Sequence, residues 1–206
     1  MANESGIVWD PAEIKVVTHN EAIRKRPAMY IGPLDDPALP TKLLREALNV
    51  AFKKVGQVND IRIYLSYRIG DARVSFDASF PVEMQENGKR MSELLLTQFF
   101  GYPGAPIRGH QASLHDGLPT LVALCSDFDF YTCSDGYEWY QFLEKGIPGD
   151  FTKTCECDAK RTEFMFTLDE TIFGANRRFD TEAIRIWLAE SFSPEHFIVE
   201  DYQPSL

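Results

Sequence analysis

TKLLREALNVAFKKVGQVNDIRIYLSYRIGDARVSF, residues 41–76, changes its hydrophobic period partway along, and that change sets the fold class. From Thr41 to Val55, the residues Leu44, Ala47, Leu48, Ala51 and Val55 recur at helical spacing, with Glu46, Asn49, Val50 and Lys53 on the other side. From Ile61 to Tyr67 and from Arg73 to Phe76 the apolar residues alternate instead, around a turn at Gly70 and Asp71. A helix followed by an antiparallel strand pair is therefore predicted.

The same mixture continues outward. A second helix is expected from Met91 to Phe100, ending in GYPGAPIRGHQ (101–111), whose glycines and prolines prevent regular structure. A third begins near Asp116, where Pro119 falls in the first turn and needs no N–H partner. Phe128 to Thr132 and Tyr137 to Leu143 read as a hairpin closed by Ser134, Asp135 and Gly136, and Thr162 to Leu168 adds a strand. Asp180 is placed to N-cap a last helix with Ile184, Trp187, Leu188 and Phe192 on its apolar face, and Pro194 marks its end. Helices interleaved with antiparallel strand pairs make an α+β sandwich, and no repeat or composition shift divides it. The aromatic residues, 13% of the chain, sit mostly at strand and helix periodicity and read as core.

Composition narrows the function classes. The chain has 206 residues, 44% hydrophobic and 25% charged, which fits one globular domain. A net charge of -10 disfavours direct nucleic-acid binding and anionic membrane surfaces. Arg24, Lys25 and Arg26 form a local basic strip that reads as a solvated surface. There is no apolar run of signal-peptide or membrane-spanning length, so a cytoplasmic protein is expected. Cys125, Cys133, Cys155 and Cys157 are too few and scattered for a disulfide scaffold. Cys155 and Cys157 would share one face of a strand but lack partners at metal-site spacing, so no metal site is expected.

ASLHDGLPTLVALCS (112–126) keeps the outline of a phosphate-binding turn feeding a helix, yet carries Ala112, Ser113, Asp116 and Leu118 where such a turn needs glycine. A carboxylate at Asp116 would face the anion. At about 4 Å and an effective dielectric near 20, each like-charge pair costs on the order of 4 kcal/mol.

At EAIRKRPAMYIG (21–32) the chain closely resembles the opening of the ATPase domain of the DNA gyrase B protein and its topoisomerase IV counterpart, members of the GHKL group. The resemblance extends upstream through Trp9, Asp10, Ile14, Lys15 and Val16, and downstream through LEKGIP (143–148), KRTEFMF (160–166) and the last helix. It implies an N-terminal arm over residues 1–20 and a single GHKL domain over residues 21–206. The implied fold is a two-layer α/β sandwich with a mixed, mostly antiparallel sheet and helices on one face.

Carried over position by position, the resemblance implies that much of the family's chemistry has changed. In the family's ExxDN helix motif the Glu is general base and the Asn holds magnesium. Here Glu46 remains, Asn49 stands next to last, and the metal ligand is Val50, which offers no oxygen. The adenine motif DDGRGIP corresponds to VSFDASFPVEM (74–84), where the resemblance implies Asp77 as the carboxylate available for adenine and where the motif's glycines and arginine are gone. In the phosphate turn GGLHGVG, Leu114 and His115 match while Gly117 stands at a non-glycine position, and Thr162 matches a threonine near adenine. Residues 101–111 correspond to the nucleotide lid, stiffened here by Pro103 and Pro106. Trp9 replaces the tyrosine with which the family's arm reaches its dimer partner, and Ile14 is retained. The chain ends at Leu206, before the position of the family's transducer domain.

The resulting expectation is a degenerate member that does not hydrolyse ATP and binds a protein, either a second copy of itself through the arm or a component of a topoisomerase. No cofactor is expected, and magnesium least of all. Two alternatives stay open. One is a divergent ATP-binding domain with Glu46 as catalytic base and Asn49, Asp77, Leu114, His115, Gly117 and Thr162 around the nucleotide. The other is a former nucleotide pocket reused for a different small molecule.

Overall fold

The computed structural model describes residues 18–66, 70–98 and 117–202. In chain order the elements are α1 (His19–Lys25), α2 (Pro27–Ile31), α3 (Leu39–Val55), β1 (Ile61–Ser66), β2 (Asp71–Phe76), α4 (Met91–Thr97) and α5 (Gly117–Leu124). These are followed by β3 (Cys125–Ser134), β4 (Tyr137–Glu144), β5 (Ile147–Pro148), β6 (Thr152–Glu156) and β7 (Arg161–Leu168). The chain then forms α6 (Glu170–Phe173), α7 (Thr181–Ala189) and β8 (Phe197–Tyr202). One mixed sheet runs in the order β5-β4-β3-β7-β2-β1-β8, with β6 also pairing with β4. Only the β1–β8 pairing is parallel among these strands. This is the expected α+β architecture.

Local chemistry explains the element boundaries. Helix α1 opens with a capping box, in which the Glu21 amide donates to Thr18 Oγ1 and the Thr18 amide donates to the Glu21 carboxylate. Helix α3 starts at Leu39 rather than Thr41, because Pro40 is tolerated in a first turn, and it stops at Gly56, whose φ is 84°. The β3–β4 hairpin turns at Asp135 and Gly136, both at positive φ (55° and 77°), the mirror-type turn whose twist matches antiparallel strands. Asp180 caps α7 by accepting from the Ala183 amide at 2.9 Å. Helix α7 ends at Ala189, ahead of Pro194, which instead opens a 3₁₀ turn (Pro194–His196) leading into β8. Helix α4 is shorter than the periodicity predicts, since Gln98 is already extended. Asp71, expected in a turn, belongs to β2 and pairs with Thr167.

The inner sheet face meets the helices. Leu43, Leu44 and Leu48 of α3 and Leu118 and Leu121 of α5 pack into one core with Ile61, Ile63, Val74, Phe128, Phe130 and Phe164 from the strands. Helices α3 and α5 approach closely. A Cβ on Gly117 would stand 2.3 Å from the backbone carbonyl of Glu46, so no side chain fits there. No described helix is long and apolar enough to cross a membrane.

Arg24 is not a solvated residue. Its guanidinium donates to the carbonyls of Ala123 (2.9 Å) and Cys125 (3.1 Å), where α5 passes into β3, and pairs with the carboxylate of Asp169. Asp169 in turn caps α6 by accepting from the Thr171 amide and hydroxyl. Lys25 and Arg26 are exposed, so the basic strip reduces to two residues. Burial alone would raise the Asp169 carboxyl, but the Thr171 hydroxyl and amide and the Arg24 guanidinium hold it below the ordinary 3.8.

Two outcomes are expected from this packing. Asp169→Ala leaves the Arg24 charge unpaired and lowers unfolding free energy by about 3 kcal/mol in urea titrations. Because the folded carboxyl titrates below its unfolded value, that contribution is fully present above pH 3.8 and is lost as pH falls through the depressed folded value, so wild type and variant converge in acid. Gly117→Ala forces α5 off α3 and costs about 3 kcal/mol or more by the same measurement.

Candidate functional site

Among the described residues, none of the hollows given below brings together Glu46, Asn49, Asp77, Gly117 and Thr162. Helix α3 presents Glu46 and Asn49 one turn apart, both half-buried, and neither has a hydrogen-bond or ion-pair partner among the described residues. Val50, between helix and core, packs against apolar side chains. Gly117 touches α3 at the Glu46–Ala47 backbone, so Glu46 and Gly117 are neighbours. The glycine there serves helix contact and has no free space beside it. Leu114, His115, Asp116, the 101–111 loop, Trp9 and Ile14 lie outside the described residues.

Thr162 faces inward from β7 and is fully buried. Its hydroxyl donates to the Ala78 carbonyl at 2.7 Å and lies 3.0 Å from the Thr132 hydroxyl, its register partner on β3. The Thr132 hydroxyl also accepts from the Phe80 amide at 2.9 Å, and the Ser79 hydroxyl donates to the Cys133 carbonyl. Residues 78–80 are thereby laced onto the ends of β3 and β7. The segment that would have to be a glycine turn is instead a fixed crossing that needs no glycine.

Phe80 is anchored by that lacing and fully buried. Its ring meets Phe130 edge-on at 5.5 Å, Phe164 at 5.8 Å and Phe76 at 6.4 Å. Each such pair adds roughly 0.5–1.5 kcal/mol beyond area burial, so this is a strongly held core. The sequence pattern marks these phenylalanines as core. It does not single out Phe80, Thr132 and Thr162 as one network, because its partners come from three separate segments.

Asp77 sits just beyond β2 on a different surface. Its carboxylate accepts from the amides of Asn59 (2.8 Å) and Asp60 (3.1 Å) and from the Asn59 side chain. Burial raises this carboxyl, and those donors outweigh it and lower the value overall. The residue lines a hollow of about 470 Å³ with Arg62, Arg73, Lys160 and Glu163, whereas Thr162 points to the opposite side of the sheet. Asp77 acts as a clasp between the end of β2 and the start of β1.

A separate hollow of about 830 Å³ lies between α1, the end of α4 and the turn into β5. It is lined by Asn20, Arg24, Lys25, Lys89 and Lys145 among others, and by none of Glu46, Asn49, Asp77 or Thr162. Lys89 is paired with Glu93 and Arg24 with Asp169. The four cysteines are free thiols, and burial, helped by the neighbouring Cys157, pushes the Cys133 thiol up to about 12. Among the described residues no group of three His, Cys, Asp or Glu side chains is placed to hold a metal ion.

No family model matches the chain. It is similar to the DNA gyrase B protein of Mycolicibacterium smegmatis, with 27% identity over 183 residues, covering 84% of this chain and 26% of that protein. The DNA gyrase B protein of Mycobacterium leprae is 28% identical over 188 residues (86% of this chain, 27% of that protein), and that of Staphylococcus aureus 27% over 187 residues (86% and 28%). The chain thus spans about a quarter of the length of the curated relatives it matches. Over most of its own length it is distantly similar to one part of the gyrase B protein.

Proposed function

We propose that this chain is a degenerate gyrase-B-like GHKL domain that has left ATP hydrolysis behind and works as a protein-binding or regulatory module, its partner a second copy of itself or a component of a type II topoisomerase. The observation that carries this reading is the closed polar network at Thr162. A threonine at an adenine-contacting position offers its hydroxyl to the ligand, and here that hydroxyl gives its proton to Ala78 and pairs with Thr132 beneath a buried Phe80. The apolar Val50 at the magnesium position supports the same conclusion, since a positioned base achieves little without the metal and phosphate alignment it acts upon.

One observation favours a second reading, a divergent ATP-binding domain. Glu46 and Asn49 have no partner among the described residues and are free to meet a ligand. In that reading an Asn49→Leu variant loses nucleotide affinity while keeping its fold.

Calorimetric titration with ATP and with ADP, each with and without magnesium, separates the two. No binding up to millimolar nucleotide is expected. A magnesium-dependent isotherm overturns the proposal and establishes the second reading.

A further inference from the structure

The outer face of the sheet has no helix against it among the described residues, and its chemistry is unusual for a solvated face. Side chains alternate across strands, and the register places them in rows. One row runs Glu144, Asp127, Thr167, Asp71 across β4, β3, β7 and β2. The adjacent row runs Phe142, Asp129, Met165, Arg73, Tyr64, ending at Glu200 of β8. Tyr131 and Tyr140 lie beside them, their rings tilted by 32° with centroids 4.7 Å apart, and Phe142 and Ile198 are exposed apolar residues at either side.

The carboxylates on this face divide into two kinds. Glu163 and Glu138 are neutralised by Arg73 and Arg161. Asp127 and Asp129 are held by neutral hydroxyls, Asp127 by Ser126 and by Thr167 at 3.0 Å, and Asp129 by Tyr140 at 2.7 Å. Hydroxyl donors orient a carboxylate without cancelling its charge. Around a hollow of about 470 Å³ walled by Tyr64, Met165 and Tyr202, Asp71, Asp127 and Asp129 therefore converge with Arg73 already committed to Glu163. Burial raises the Asp71 carboxyl, the Thr167 hydroxyl and Arg177 lower it, and Asp127 adds to the rise.

We infer that this open sheet face is a docking surface for a basic partner protein, one arginine or lysine of which enters the hollow between Asp71, Asp127 and Asp129 against Tyr64 and Tyr202. Charge complementarity selects the occupant. Pre-oriented carboxylates beside aromatic rings favour guanidinium or ammonium through charge-assisted hydrogen bonds and cation–π contact. The six strands β4, β3, β7, β2, β1 and β8, each of six to ten residues, lie at about 4.8 Å spacing and offer a patch roughly 25 Å by 20 Å, at the low end of protein interfaces. Exposed Phe142 and Ile198 supply apolar contact at its margins. The inference rests on the protein-binding reading above and names that partner's chemistry.

The test uses the full chain and a phage-displayed random peptide library. Selected peptides are expected to carry arginine or lysine next to an apolar residue and to slow hydrogen exchange in β2, β3 and β7 of the unaltered protein. They are expected to bind the Asp127→Asn/Asp129→Asn variant at least about tenfold more weakly, and an exposed-acid control, Glu195→Gln, equally well. Asparagine can still accept from Tyr140 at position 129 and from one of the two hydroxyls at position 127, where its NH2 group donates to the other hydroxyl oxygen, and a thermal melt confirms the fold of the variant. Recovery of no peptide, of acidic or neutral peptides, or of basic peptides that bind the variant undiminished overturns the inference. A footprint elsewhere overturns it too but leaves the protein-binding reading intact. Magnesium-dependent nucleotide binding sinks that reading without touching the footprint, so the two failures are distinguishable.

Discussion

The ion pair between Arg24 and Asp169 is the junction on which the two layers depend. It brings together α1, the α5–β3 passage and the start of α6, elements far apart in the chain. The guanidinium meets carbonyls at the C-terminal end of α5, where the helix dipole is negative, and a carboxylate that is itself capping the next helix. With that corner tied, α5 runs directly into β3 and its position over the sheet is set. Gly117 at the other end of α5 then seats the helix against α3. One ion pair and one missing side chain thus locate the helix that, in the resembled family, would present its N-terminus to phosphate.

The sheet has two faces with different work to do. Inward, Phe80, Phe128, Phe130 and Phe164 fill the space against the helices, and the buried hydroxyls of Thr132 and Thr162 satisfy each other and the backbone of 78–80. A buried polar group is stable only when its hydrogen bonds are made, and here they are made within the protein. Outward, Asp127, Asp129 and Asp71 lie around one hollow beside Tyr64 and Tyr202, and Asp127 and Asp129 accept from hydroxyls.

Much of the fold is legible residue by residue. The 3.6-residue period of Leu44, Ala47, Leu48 and Ala51 marks α3, the Asp135–Gly136 pair marks the hairpin, and Asp180 marks the start of α7, because each signal is local. The strand β3 is longer than its apolar run, since Asp127 and Asp129 face outward and break the pattern while their backbones stay in the ladder with β7. Asp71 resembles a turn residue for the same reason, although its backbone opens β2. Beta pairing is a property of two segments, and a polar outward residue leaves no trace of it in one.

By itself the amino-acid sequence determined the α+β class, the order of the principal elements, the resemblance to the gyrase B protein and the apolar side chain at Val50. Those are statements about periodicity, capping and residue type. Only the tertiary structure decided that Arg24 is a half-buried tie, that Gly117 is a contact glycine, that Thr162 is sealed while Asp77 clasps two strands, and that three aspartates line one hollow on the outer sheet face. Each of these depends on which distant segments meet, and hydrogen-bond satisfaction, close approach and uncompensated charge exist only once they do.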